Sequence, residues 1–293
     1  VSSIARVETT DAAPPSARAS QIGRVRASLG SLHGSWAFRA LSLLSLSACV
    51  FGWHLLARHR VEFGPVSFVN VPPPGEVVTA AAELLESPKL QQHLLSSITR
   101  AFVGFFVAAV FGVIAGIAIA RSRIARSVLS LPLEVVRPIP GVAWIPLSIL
   151  IFKSSEVSMI YITFLGALFP ILVNTIHGVD SIEQRYVQAA QGLGAKPWHL
   201  LWHVVIHGAL PSIITGLSLG MGTSWFCLVT AEMIAGQYGI GYYTWESYNL
   251  QRYPEIVLGM LLIGVLGALS SAAVKRLGTL LVPWYRIQVG RHG

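Results

Sequence analysis

Three histidines, His199, His203 and His207, recur every fourth residue. On a helix that spacing stacks them along one face, which can hold a divalent metal. Metal chemistry on those rings would need a further ligand, and no carboxylate joins them, so polar residues at an interface are the plainer reading. Arg137 and Glu232 stand in or beside strongly apolar runs. Arg137 there could attract an anion, pair with Glu134, or reach out to the headgroup layer. Glu232 lies where solvation at an outer boundary is the simpler expectation. Trp144, Ser148, Ser224 and Trp225 join these two as candidates for lining a passage, although helix packing is the ordinary role of aromatics in such runs. Cys49 and Cys227 have a spacing that suggests neither a metal site nor a disulfide. No Gly-x-x-x-x-Gly-Lys-Ser/Thr run occurs, so the chain is not expected to hydrolyse ATP by itself.

The elements that must position these residues are apolar. Of 293 residues, 53% are hydrophobic and only 12% charged, too few charges to wet the surface of a soluble domain. The formal net charge is +8. Its basic residues fall between apolar runs, which favours membrane topology over nucleic-acid binding. Residues 1–35 hold Arg6, Arg18, Arg24 and Arg26 without hydrophobic periodicity and read as a disordered basic tail. Residues 36–286 read as one membrane domain. About 20 apolar residues cross a bilayer, and six spans are expected at about 37–57, 94–120, 128–152, 157–178, 212–232 and 255–274. Leu46-Ser47-Ala48-Cys49 resembles a lipoprotein cleavage box, but the polar tail before it is too long for a signal peptide. Between the first two spans, Val77, Val78, Ala81, Leu84 and Leu85 mark a short amphipathic helix. In the second span Gly104, Ala108, Gly112, Gly116 and Ala120 recur every fourth residue, a face that admits a close neighbour helix. The third is interrupted by Pro132, Pro138, Pro140 and Pro146, which membranes tolerate where protein or a water-filled cavity satisfies the freed backbone. Residues 233–254 read as an aromatic, glycine-bearing loop.

Six spans put both termini on one side. The basic tail, the 121–126 loop, the 181–207 region and the C-terminal stretch with Lys275, Arg276 and Trp284-Tyr285-Arg286 outweigh the opposite loops in Lys and Arg, which makes that side cytoplasmic. Ser181 to Pro211 is too polar to span. Glu183 to Gln191 reads as a short helix, broken by Gly192-Leu193-Gly194. Lys196-Pro197 restarts it, with Trp198, Leu201, Trp202 and Val205 along one face.

Gln188-Ala189-Ala190, three residues, Gly194, then nine residues to Val204 resembles the EAA loop of ABC importer membrane subunits. There the pattern is Glu-Ala-Ala, three residues, Gly, nine residues, Ile, any residue, Leu, Pro. Gln188 stands in place of the glutamate and His207 in place of the proline. Val71-Pro72-Pro73-Pro74-Gly75-Glu76-Val77, Arg137-Pro138-Ile139-Pro140 with Ala143-Trp144-Ile145-Pro146, Ala231-Glu232-Met233 and Gly239-Ile240-Gly241-Tyr242 look like segments of the nitrate/sulfonate/taurine subfamily.

The resemblance implies an all-α integral membrane protein with the type I permease fold and a cytoplasmic coupling helix, in the bacterial inner membrane. It implies a transport subunit rather than an enzyme, with a second copy of itself, a cytoplasmic ATPase dimer and an extracytoplasmic solute-binding protein as partners. ATP and Mg would be bound by the ATPase, and no cofactor by this chain. The cargo would be a small anion: an aliphatic sulfonate, taurine, nitrate or bicarbonate. Gln188, Ala189, Ala190, Gly192, Gly194 and Lys196 would contact the ATPase, with small residues allowing close backbone approach. Two other classes stay open on the residues alone: an ion-coupled carrier, which would need buried carboxylates, and an intramembrane metalloenzyme built on the histidines.

Overall fold

The computed structural model describes residues 40–282. The basic tail, the start of the first span and Trp284-Tyr285-Arg286 lie outside them. The chain divides into two compact units, Val1–Val69 and Asn70–Gly293. In the first, helix α1 (Ala40–Arg58) is long and apolar enough to span, and Leu41, Leu43, Leu44, Leu46 and Phe51 are exposed along it. A two-stranded hairpin follows, β1 (Glu62–Phe63) against β2 (Val66–Ser67). Gly64, at φ 54°, takes the left-handed position its turn requires.

The second unit is helical. Pro74 opens the amphipathic helix α2 (Pro74–Glu86) at a position where its missing N–H is harmless. Ser87 then starts α3 (Pro88–Arg121), its hydroxyl accepting from the Lys89 N–H at 3.3 Å. Helix α3 has 34 residues, roughly 50 Å at 1.5 Å per residue, so it extends well beyond the ~30 Å hydrocarbon layer. The run expected as a third span is two helices meeting at 91°. Helix α4 (Arg123–Val136) stops before Pro138 and Pro140, and a 3-10 turn (Gly141–Trp144) leads into α5 (Ile145–Ile151). Among the described residues five helices are long and apolar enough to cross a membrane, six if the bent pair counts as one.

Helix α6 (Ser155–Asp180) lies between α3 and α9 (His207–Ala235), and small residues set the separation. A Cβ on Gly104 would fall 2.7 Å from Thr163 Cβ, and one on Gly116 would fall 2.7 Å from Thr175 Cβ. On the other face, Gly216 and Gly220 meet Asn174 and Ile171. Pro170 inside α6 cannot donate to the Gly166 carbonyl; Thr223 of α9 donates to it instead, at 2.7 Å. The helix break is thereby turned into an interhelical bond.

Helices α10 (Ile240–Asn249) and α11 (Tyr253–Leu281) complete the unit. The 233–254 segment is therefore largely helical rather than a loop, because Gly239 ends the turn after α9 and the next ten residues carry no glycine or proline beyond Gly241. Helix α11 packs on α9, where Trp225 Nε1 donates to Ser270 Oγ at 2.8 Å.

Candidate functional site

The stretch after α6 forms a tight turn of helices. Helix α7 (Gln184–Gly192) is followed by α8 (Pro197–Leu200), and a π-helical segment (Leu201–Ile206) joins α8 to α9 without a break. The second amphipathic helix is thus the beginning of the fifth span, not a separate helix at the interface. Nothing between Pro197 and Pro211 stops a helix, so the backbone ladder simply continues. Ile182, Val187 and Ala190 pack on Val179, Leu200, Val205, Ala209 and Ile213, anchoring α7 to the base of α6 and α9. The opposite face is open. Gln188, Ala189, Gly192, Gly194 and Lys196 are exposed, Ala190 is half-buried, and Leu193 projects with 90% of its surface exposed.

Helix α7 ends in a Schellman motif. Ala195 N donates to the Ala190 carbonyl at 3.0 Å and Gly194 N to that of Gln191 at 2.9 Å, with Gly194 left-handed at φ 79°. Glycine at 194 is therefore required by the chain reversal itself, whatever approaches from outside. Gly194→Val is expected to weaken this turn by about 1–2 kcal/mol, and Gly194→Asn by much less, because Asn tolerates the left-handed region. Hydrogen exchange at the Gly194 and Ala195 amides measures it; equal protection in both variants would refute the assignment.

The three histidines do share a face. Consecutive ring centroids are 6.0 and 6.3 Å apart, with His203 Nδ1–H donating to the His199 carbonyl and His207 Nδ1–H to that of Trp202 at 2.7 Å. No group of three or more His, Cys, Asp or Glu among the described residues is placed to hold a metal.

The passage candidates do not converge on one cavity. Ser148 is buried and 2.6 Å from Ser158 Oγ, Ser224 donates to the Met221 carbonyl at 2.8 Å, and Trp144 packs against the core around Trp225. The hydroxyls of Ser148 and Ser224 are thereby occupied within the chain. Arg137 lines a cavity together with Glu134, and no ion pair joins their side chains among the described residues.

The sequence profile described as "Binding-protein-dependent transport system inner membrane component" matches residues 108–287. The chain belongs to that family. The taurine transport system permease protein TauC of Escherichia coli is 32% identical over 84% of this chain and 90% of its own length. The putative aliphatic sulfonates transport permease protein SsuC of the same organism is 36% identical over 85% and 93%. Nitrate and bicarbonate import permeases are further relatives. A solved structure of the MetNI methionine ABC transporter in an inward-facing conformation aligns with 63% of this chain and 95% of its own, at TM-score 0.51 and 21% identity, which shows a shared fold. This permease is thus a multi-pass transport subunit and not an enzyme.

Within the permease one site escaped sequence reasoning. Glu232, expected to be solvated, is 0% exposed. Its carboxylate accepts from Ser97 Oγ at 2.8 Å, Arg100 Nη1 at 2.9 Å and Gly241 N at 3.0 Å. Arg100, 3% exposed, donates from Nε to Glu156 Oε2 at 2.7 Å, pairs through Nη2 with Glu156 Oε1, and donates to the Tyr238 carbonyl at 2.6 Å. Ser97 accepts from Ile240 N at 2.8 Å and His93 Nδ1 from Gly239 N at 3.1 Å. The cluster therefore fastens the turn 236–241, and with it α10, to α3, α6 and α9. A visible clue existed: His93, Ser97 and Arg100 fall at i, i+4 and i+7, a polar stripe on an otherwise apolar helix. The one fully buried carboxylate among the described residues is already engaged by three donor atoms, which suits a structural anchor and not a coupling-ion site.

Proposed function

We propose that this permease carries a small oxyanion into the cell, driven by ATP hydrolysed in a separate subunit. The observation that carries this is the α7–α8 turn: an apolar inner face fixed to two spanning helices, and an outer face of small residues around one projecting leucine. Such a face fits a cleft on a partner, and a rigid mount transmits force from it. In this reading Gln188, Ala189, Ala190, Gly192, Gly194 and Lys196 contact the ATPase, which holds ATP and Mg. In this reading that turn and both termini are cytoplasmic, which the excess of Lys and Arg in the loops on that side supports. Two copies of the chain enclose the pathway, with Arg137 facing it and Trp144, Ser148, Ser224, Trp225 and Glu232 supporting its walls. A solute-binding protein engages the 58–92 and 233–254 segments from outside. ATP binding biases a two-state membrane domain through the coupling turn. The relatives transport taurine, sulfonates, nitrate and bicarbonate by name, which supports an oxyanion cargo.

The test is reconstitution in liposomes with the ATPase and binding protein, measuring ATPase stimulation by loaded binding protein. Absence of stimulation by every candidate anion would overturn the reading. Leu193→Asp should reduce affinity for the ATPase roughly 10–100-fold, the loss expected when a leucine worth about 1.5–3 kcal/mol is no longer buried. The permease itself should stay as stable as wild type, since Leu193 touches little of its own chain. Undiminished stimulation in that variant would remove the coupling role.

A further inference from the structure

We infer that His93 is an acid-sensitive latch: on taking up a proton it releases the 236–241 turn and the start of α10. On the importer reading above, on which its consequence rests, the latch faces outward and lets external pH govern transport. The first amides of α10 are capped by other helices. Gly239 N donates to His93 Nδ1 at 3.1 Å, Ile240 N to Ser97 Oγ at 2.8 Å and Gly241 N to Glu232 Oε2 at 3.0 Å. A helix leaves its first N–H groups without partners of its own, and these three side chains supply them. Of the three acceptors only an imidazole ordinarily titrates near neutrality, at about pH 6.5. Nδ1 accepts only while it carries no proton, so the ring is neutral with its hydrogen on Nε2. A proton on Nδ1 would set two N–H groups head to head and put a positive charge at a helix N-terminus. The turn has no room to shift inward, because a Cβ on Gly239 would fall 2.3 Å from the Glu232 carboxyl carbon. It can only move away from α3.

The surroundings of the ring favour its protonated form once that bond is broken. His93 is 6% exposed and borders a polar cavity of about 280 Å³. Tyr238 of the turn and Tyr242 and Tyr243 of α10 lie around it, with ring centroids 6.1, 6.3 and 5.8 Å away. Aromatic faces at this range attract a cation. Charged groups line the cavity from each neighbouring element: Lys89 from α3, Glu83 from α2, Glu246 from α10, and Arg252 and Glu255 from the start of α11. Three carboxylates stand against two cations there. Glu246 accepts from the Tyr242 hydroxyl at 3.3 Å and Glu255 from Ser247 Oγ at 3.1 Å, so both are held close to the ring. An imidazolium therefore keeps a favourable place, while the Gly239 amide loses its partner. The closed turn binds one proton fewer than the open one below about pH 6.5, so its stability is full above that pH and declines as pH falls through it. Between about pH 7.5 and about pH 5 the opening constant should rise about 30-fold.

The test uses the full chain in nanodiscs, with deuterium exchange of the 236–241 peptide followed across that pH range and corrected for the intrinsic rate at each pH. Protection in the wild type should fall about 30-fold, starting near pH 6.5, while the α3–α6 core stays protected. His93→Asn, whose amide oxygen accepts a hydrogen bond but does not titrate, should hold its protection within about threefold over the same range. A loss in the wild type that starts only below about pH 5 belongs to carboxylates and overturns the latch without recourse to any variant. A His93→Asn protein that loses protection as steeply as the wild type overturns it as well. In the reconstituted importer, stimulation of the ATPase by loaded binding protein should drop further on acidification in the wild type than in His93→Asn; equal drops overturn the regulatory role. No stimulation by any cargo at neutral pH defeats the importer reading instead, and the exchange measurement still decides the latch.

Discussion

Glu232→Ala is expected to destabilise the membrane domain by about 3–5 kcal/mol, the loss typical of breaking a buried ion pair by removing one partner. The carboxylate is the meeting point of Ser97, Arg100 and the Gly241 amide, and none of these can turn to water after truncation. Arg100 keeps Glu156, whose side chain is 59% exposed, so the effect should fall towards the lower end of that range. Glu232→Gln keeps the shape and one acceptor but not the charge. It should cost less, about 1.5–3 kcal/mol, the worth of a hydrogen bond to a charged group. Unfolding of the purified permease in detergent measures both. Proteolysis at residues 236–241 should accelerate in parallel, because that turn is tied down by the same groups. A Glu232→Ala protein within about 1 kcal/mol of wild type would show that the cluster is solvated and not an anchor.

Gly104→Val should be almost as severe, for a purely steric reason. The first carbon of any side chain there would lie 2.7 Å from Thr163 Cβ and 2.8 Å from the Ile160 carbonyl oxygen. A rotamer change at Thr163 moves neither of those atoms, so α3 and α6 must separate. Overpacking of this kind costs about 1–3 kcal/mol, and the valine branch adds to it. Gly264 in α11 is the internal control, since a Cβ there meets nothing within 4 Å. Gly264→Ala should be neutral or stabilising by up to about 1 kcal/mol, the difference in helix propensity. Similar unfolding midpoints for Gly104→Val and Gly264→Ala would contradict the close α3–α6 approach.

These two expectations differ in how far the sequence anticipates them. The stripe of Gly104, Ala108, Gly112 and Gly116 is a pattern with a period, and period alone predicts a close-packed face. The partner is another matter: only the folded chain supplies Thr163, Ile171 and Thr175 opposite it. Glu232 is harder still. Its donors come from Ser97, Arg100 and Gly241, on α3 and at the start of α10, and the buried Arg100 also reaches the exposed Glu156 at the start of α6. A lone glutamate near the end of an apolar run looks the same in sequence whether it faces water or three buried donors.

The coupling segment shows a similar division. Two glycines, a proline restart and the resemblance at Gln188–Gly194 mark a helical turn at the membrane surface. The positive φ of Gly194 is a property of the backbone path, and it gives that glycine a local reason independent of any partner. The π-helical join at Leu201–Ile206, which fuses the turn to the fifth span, follows no residue rule and sits where the family pattern is interrupted at His207.

By itself the sequence determined the solvent, the number of apolar segments, the helix breaks at Pro138 and Pro140, and the family. Each of these depends on composition or on neighbours within a few residues. Only the tertiary structure decided the bend of 91° between α4 and α5, the burial of Glu232 with Arg100, and the cavity that sets Glu134 and Arg137 on one wall. Those depend on contacts between residues far apart in the chain, where the low dielectric of a packed interior decides which buried charges must pair.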